Sequence, residues 1–317
     1  MRVSAVVLTC LAAVAVAGCR NAEPTASPPA EPTQPKLRLI AAGHSAQWTA
    51  DGRIAYVASK GRGVWSIRPD GKRARRLVAV KYDVGLLVSP DRSRMLFMDA
   101  GGSRVARTDG SRLRPITTLS QASTARWSDD GAMITFQRLR GSQRSIWSVP
   151  TRGGRAKPLF REFGGFVLAW APDGRMVVAA FQEQEGGSFS ATLLIAPGEE
   201  PRELPELVEA RFGPDGTVEG IESQGSYVVL DDRGEILRRF PGDRVRNLPD
   251  YTADGTLMTY EQSGRLWIAF ADWTARRMLA DAPCSRPAFS PGDTRIACSV
   301  YWPKRHVAVI DVPAELR

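Results

Sequence analysis

Apolar residues along this chain come in short bursts, broken at regular intervals by a turn of recurring composition. A large apolar residue, two small or turn-forming residues and Asp-Gly appear as Trp48-Thr-Ala-Asp-Gly52, Trp170-Ala-Pro-Asp-Gly174, Phe212-Gly-Pro-Asp-Gly216 and Tyr251-Thr-Ala-Asp-Gly255. Trp127-Ser-Asp-Asp-Gly131 and Val88-Ser-Pro-Asp-Arg92 fit with one change each, and Phe289-Ser-Pro-Gly-Asp293 is a scrambled seventh copy. The apolar residue stands at 48, 88, 127, 170, 212, 251 and 289, so the period stays near forty residues. Pro presets φ in such a turn, Asp tolerates the next position, and Gly supplies the left-handed residue that lets two strands meet.

Six of the seven turns are followed by a β-type burst: 54–58, 95–98, 133–136, 176–181, 257–260 and 295–300. A third strand is predicted at 64–67, 145–149, 227–230, 266–270 and 306–310, and a fourth at 75–78, 113–116, 157–160, 236–240 and 276–279. Four short strands per repeat, joined by turn residues, predict the blades of a propeller. The last repeat lacks a fourth strand, and the segment 36–40 has the character of one. The expectation is therefore an all-β, seven-bladed β-propeller closed by its N-terminal strand, which leaves no free sheet edge.

These turns and strands resemble the TolB-type (WD-like) propeller repeat, over residues 37–317. There a W-S-P-D-G-like turn is followed by I-A-F-like and I-W-like strands and a closing R-R-L-T-like strand. The resemblance implies architecture; its matching residues form turns and core, so it implies no partner.

Ahead of the repeats, residues 1–18 have the build of a secretory signal: Arg2, an apolar stretch from Val3 to Ala17, then small residues. Val16-Ala17-Gly18-Cys19 resembles the bacterial lipobox, which implies cleavage before Cys19 and lipid on its thiol. Residues 19–36 carry five prolines and read as an extended tether. The expected domains are thus a signal peptide at 1–18, a lipidated linker at 19–36 and a propeller at 37–317. The expected location is the extracytoplasmic face of the cell membrane or outer membrane.

Composition narrows the chemistry. Two histidines, four cysteines and no G-x-S-x-G, H-E-x-x-H, P-loop or C-x-x-C motif leave little for nucleophilic or metal catalysis. No cofactor or metal is expected, and His44 and His306 read as packed or surface residues. The repeated aspartates (51, 91, 130, 173, 215, 254) read as turn formers rather than calcium ligands. Cys284 and Cys298 flank the last turn and, in an oxidising envelope, favour a disulfide.

Charge is polarised. Residues 51–161 carry a net +15 and residues 162–261 a net −11, within an overall +9. Such separation orients a molecule and steers charged partners. The connections opposite the Asp-Gly turns gather Lys60 and Arg62, Lys81 and Tyr82, Arg138, Arg140 and Arg144, and Trp302, Lys304 and Arg305. Aromatic groups beside guanidinium groups are typical of binding hot spots. The functional expectation is a monomeric, non-catalytic scaffold binding an acidic protein or anionic envelope polymer through this rim. The alternative is an envelope hydrolase or lyase with its site in the central funnel. Nucleic acid is not an expected partner.

Overall fold

The computed structural model describes residues 35–60, 62–80, 85–99, 102–116, 123–140, 143–160, 164–184, 187–213, 215–240, 245–301 and 303–317. The signal segment, Cys19 and most of the linker lie outside them, as do Lys81, Tyr82 and Trp302. Among the described residues no helix is long and apolar enough to cross a membrane.

Every repeat folds into antiparallel strands joined in chain order. Five sheets of four strands stand separately. The first runs through Gly85–Val88, Arg94–Asp99, Gly102–Arg107 and Arg114–Pro115. The second contains Ser123–Trp127, Met133–Arg140, Gln143–Pro150 and Lys157–Phe160. The third contains Gly164–Trp170, Met176–Gln184, Gly187–Ile195 and Arg202–Leu204. The fourth contains Leu207–Phe212, Val218–Glu222, Tyr227–Leu230 and Ile236–Phe240. The fifth contains Asp250–Tyr251, Leu257–Gln262, Arg265–Phe270 and Arg277–Ala280.

The remaining strands correct the expected seven separate blades. They form a single seven-stranded sheet, in the order Cys284–Phe289, Arg295–Val300, His306–Asp311, Arg38–Trp48, Ile54–Ala58, Gly63–Ile67 and Arg75–Ala79. The structure therefore has five discrete four-stranded blades, and the N-terminal strand fuses the strands of the first and last repeats. Residues Arg38–Ala42 of that strand pair with the last strand, and Gly43–Trp48 pair with Ile54–Ala58. No turn residues separate the two halves, so the chain passes from one partner to the other without a break. Gly43 sits at the crossing. A Cβ there would lie 2.4 Å from the Val57 carbonyl oxygen and 2.6 Å from the Tyr56 ring, so only glycine permits the approach.

The apolar bursts are continuous rather than alternating because both faces of each sheet are covered. Ala55, Val57, Val64 and Val78 pack against Leu86, Met95, Phe97 and Ala106 of the next repeat. Leu96, Val105 and Ile116 then pack against Ala125, Ile134, Phe136 and Val149 of the one after.

Cys284 and Cys298 are joined by a disulfide between the first two strands of the last repeat, with Cα atoms 5.4 Å apart. Both are buried in the cluster that also holds Phe289, Ile296 and Ala308. The bridge spans 14 residues, for which loop-closure entropy gives about 3 kcal/mol. The double variant Cys284→Ser/Cys298→Ser should lose about that much stability in urea unfolding. Intact mass should rise by two hydrogens on reduction of the unmodified protein.

Candidate functional site

The turn following each first strand is built by its own side chains. Asp130 Oδ1 accepts from the Ala132 N–H at 2.8 Å, Asp173 from Arg175 at 3.0 Å and Asp254 from Thr256 at 3.0 Å. The Thr252 hydroxyl donates to Asp254 at 2.6 Å. The repeated aspartates are thus committed to turn formation. Among the described residues no group of three or more His, Cys, Asp or Glu side chains is arranged to hold a metal. Glycine follows the aspartate at positive φ in five copies: Gly52, Gly131, Gly174, Gly216 and Gly255. Arg92 adopts the same conformation, at φ 57°, in the sixth.

The residue just before each turn's large apolar side chain has a second task. Gln47 donates to the Leu86 carbonyl and accepts from the Val88 N–H, both at 2.7 Å. Asp250 accepts from the Phe289 N–H at 2.7 Å. Arg211 donates to the Pro249 carbonyl. Each of these clamps its strand to the first strand of the next repeat. In the opposite direction, Trp48 donates to the Ala288 carbonyl at 2.8 Å and Trp127 to the Leu87 carbonyl at 3.2 Å. The same position is apolar in Leu87, Ala169 and Ala288.

That leaves Arg126, polar at the clamping position but clamping nothing. Its guanidinium donates to the Ala125 carbonyl of its own strand at 3.1 Å, and no carboxylate lies within ion-pairing distance among the described residues. Its cross-strand neighbour is Thr135, whose buried hydroxyl itself has no hydrogen-bond partner. Burial, and then the adjacent Arg286 charge, hold the Arg126 guanidinium below the usual arginine value, against the pull of Glu209.

Arg126 faces a cavity of about 460 Å³ lined by first strands from around the ring. Arg92, Arg211 and Arg286 share it, against the carboxylates Glu209 and Asp250. Both carboxylates are already engaged. Glu209 accepts from the Leu248 N–H at 3.0 Å and from Arg286 at 3.2 Å. Burial pushes the Asp250 carboxyl up, against its bond from Phe289 and the charges of Arg92 and Arg211. Ser89, Pro90 and Arg92 in the lining place the cavity toward the Asp-Gly turn face. A partly desolvated guanidinium with no carboxylate partner, beside a second guanidinium, is a preorganised place for an anion.

The Asp250 shift has a stability consequence. A carboxyl held above its unfolded value takes up a proton on folding, so its contribution is most favourable at low pH and declines as pH rises through the folded value. Asp250→Asn keeps an acceptor for Phe289 and should flatten that decline, with higher stability than the unmodified protein at neutral pH. Urea midpoints of the two proteins between acid and neutral pH give the comparison.

The charged rim singled out from sequence lies on the other face. Lys60 and Arg62 stand in the turn after Ile54–Ala58, and Lys304 and Arg305 in the turn before His306–Asp311. Arg138 stacks 4.8 Å over Trp147 and Arg305 lies 5.9 Å over Tyr301. Lys81, Tyr82, Trp302 and the side chains of Arg140 and Arg144 fall outside the described residues. None of the rim residues lines the cavity. His44, hydrogen-bonded to Ser45 at 3.1 Å, does not line it either. The sequence reading missed Arg126, Arg286, Glu209 and Arg92. The available signal was position within the repeat, because the residue before the turn aromatic faces the axis or the next blade.

No family model matches this chain, and no curated protein matches it. Solved structures do. An oligogalacturonate lyase from Vibrio parahaemolyticus is 12% identical with a TM-score of 0.63, covering 90% of this chain and 93% of its own. An oligogalacturonate lyase in complex with manganese is 12% identical with a TM-score of 0.64, covering 88% and 92%. A streptogramin B lyase is 14% identical with a TM-score of 0.61, covering 89% and 100%. At such identities the likeness is one of fold. The chain is a β-propeller.

Proposed function

We propose that this chain is an exported propeller, anchored by lipid on Cys19, that binds an anionic ligand of the cell envelope in its arginine-lined central cavity. Arg126 carries the reading. Every other polar residue at its repeat position clamps a neighbouring strand, whereas Arg126 is kept partly desolvated beside Arg286, bonded only to a carbonyl of its own strand and with no carboxylate in ion-pairing distance among the described residues. Such an arrangement costs stability unless an anion completes it. The net +15 of residues 51–161 favours the approach of an anion. The rim of Lys60, Arg62, Lys304 and Arg305, on the opposite face, would then serve an acidic protein partner.

The reading is tested by capturing tagged protein from its native cells without crosslinking, with low-salt and high-salt washes. Anionic material retained at low salt and released at high salt supports it; material retained equally at both overturns it. The anchor is tested separately: Cys19→Ala should abolish labelling by a palmitate analogue, and undiminished labelling excludes lipid at Cys19.

A lyase reading has two observations in its favour: propellers similar in fold to this chain include enzymes named lyases, and Glu209 offers a carboxylate beside Arg286 in the cavity. Appearance of unsaturated chain ends, followed by ultraviolet absorbance on incubation with uronate oligomers, would move the assignment from binding to elimination.

A further inference from the structure

A second basic recess opens on the Asp-Gly turn face, outside the central cavity. It measures about 770 Å³ and is walled by turns of the first three repeats. Five arginines line it, Arg94, Arg107, Arg112, Arg114 and Arg152, with the two carboxylates Asp51 and Asp109. The carboxylates are spent locally. Asp51 accepts from the Thr49 hydroxyl, and Asp109 accepts from the Ser111 N–H at 2.7 Å. Arg94 and Arg114 are fixed: Arg94 donates to Thr151 Oγ1 at 2.6 Å and lies 6.0 Å over the Trp127 ring, and Arg114 donates to the Arg152 carbonyl. The side chains of Arg107, Arg112 and Arg152 are exposed and make no hydrogen bond or ion pair among the described residues.

Arg92 adopts φ 57° where five equivalent turns use glycine. Arg112 adopts φ 54°, a conformation shared by Arg73 and Ala275 at the equivalent place of their own turns. The two arginines serve neighbouring basins: Arg92 lines the central cavity, and Ser93 and Arg94 line the recess. Two residues of chain span at most about 7 Å, so one turn, Pro90–Arg94, forms the wall between the basins.

We infer that the recess is an extended subsite for an acidic polysaccharide chain, which runs from the central cavity over the Pro90–Arg94 turn and along Arg94, Arg107, Arg112 and Arg152. This rests on the anionic-ligand reading of the cavity and gives that ligand a class. A polysaccharide fits better than a protein because the recess has only Ala50, Val105 and Ala106 as apolar lining, whereas protein partners need a buried aromatic or aliphatic anchor. A row of guanidinium groups, anchored at Arg94 and adjustable at Arg107, Arg112 and Arg152, matches repeating carboxylate or sulfate groups bidentately. The concave form suits a chain rather than a flat membrane surface.

Size-defined heparin fragments of increasing length, titrated at physiological salt, test this with four proteins: unmodified, Arg107→Glu/Arg152→Glu, Arg126→Leu, and Arg233→Glu/Arg238→Glu. The last makes the same charge change in the acidic half of the chain. Affinity of the unmodified protein should rise about tenfold or more between the shortest fragment and one long enough to reach the recess. The recess variant should lose that gain while binding the shortest fragment as before, and the charge-matched variant should retain it. A length gain that survives in the recess variant, or is lost equally in the charge-matched variant, overturns the subsite. If Arg126→Leu leaves the shortest fragment's affinity unchanged while the length gain persists, the cavity reading fails and the recess stands. Tighter binding of polyglutamate of equal charge overturns the polysaccharide assignment, and no binding of any fragment overturns both readings.

Discussion

Arg211→Met should lower the unfolding free energy by about 3 kcal/mol, among the largest losses available from one substitution in this protein. The Arg211 guanidinium donates to Glu219 through Nε at 2.7 Å and again through Nη2, and reaches the Pro249 carbonyl of the next strand. It also lies 4.4 Å from the centroid of the Tyr251 ring. Burial is the largest influence and opposes its charge, yet the Glu219 carboxylate, its hydrogen bond and the Tyr227 and Tyr251 hydroxyls together hold the guanidinium above its usual value. Removing it strands Glu219, whose side chain is only 11% exposed, and breaks a clamp between two blades. The double variant Arg211→Met/Glu219→Met should recover most of the loss, because neither charge is then left alone. Arg211→Lys should fall between, keeping a charge but losing the bidentate geometry and the stacked face. Urea unfolding of the four proteins measures this directly; a loss below about 1 kcal/mol for Arg211→Met would show that the pair contributes no more than a surface ion pair.

Arg211 and Arg126 occupy one position of the repeat, and the sequence does not separate them. Their difference lies in strand register. In the Phe212 repeat the turn is short, Phe212 pairs with Val218, and Arg211 faces Glu219. In the Trp127 repeat the turn is one residue longer, Trp127 pairs with Ile134, and Arg126 faces Thr135. An acid or a hydroxyl across the strand decides whether the arginine is a structural clamp or an available cation. One residue of turn length is enough to hide that from a motif match.

Other features were plain in the sequence because they rest on local chemistry. The Asp-Gly turns form from their own hydroxyl, carboxylate and glycine residues, and the apolar bursts between them become strands buried on both faces. The count of separate blades was not local. It depended on the N-terminal strand, whose small residues Ala41, Ala42 and Gly43 let it pass between partners instead of turning. The tightness of Gly43 against Val57 and Tyr56 appears only when the strands are brought together. The cavity was missed for the same reason. Its members come from first strands far apart in the chain, and sequence charge pointed to the exposed connections of the opposite face.

Arg126→Leu should separate stability from binding. Leucine replaces a desolvated guanidinium that has no carboxylate partner and is repelled by Arg286. The folded state should therefore be unchanged or more stable by about 1 kcal/mol, in contrast to the loss at Arg211. Affinity for a short sulfated or uronate oligosaccharide should fall roughly 30- to 100-fold, the loss expected when one member of a desolvated charge-assisted contact is removed. Charge alone would give a smaller, strongly salt-dependent effect, so the loss should persist at elevated salt. Arg126→Lys should restore part of the affinity through charge while losing bidentate contact. Unfolding curves and titrations on the same preparations test both halves. A destabilised Arg126→Leu would make Arg126 a structural clamp like Arg211. A stable variant with undiminished affinity would remove it from the site and leave Arg92, beside the Arg286–Glu209 pair, as the cation for an anion.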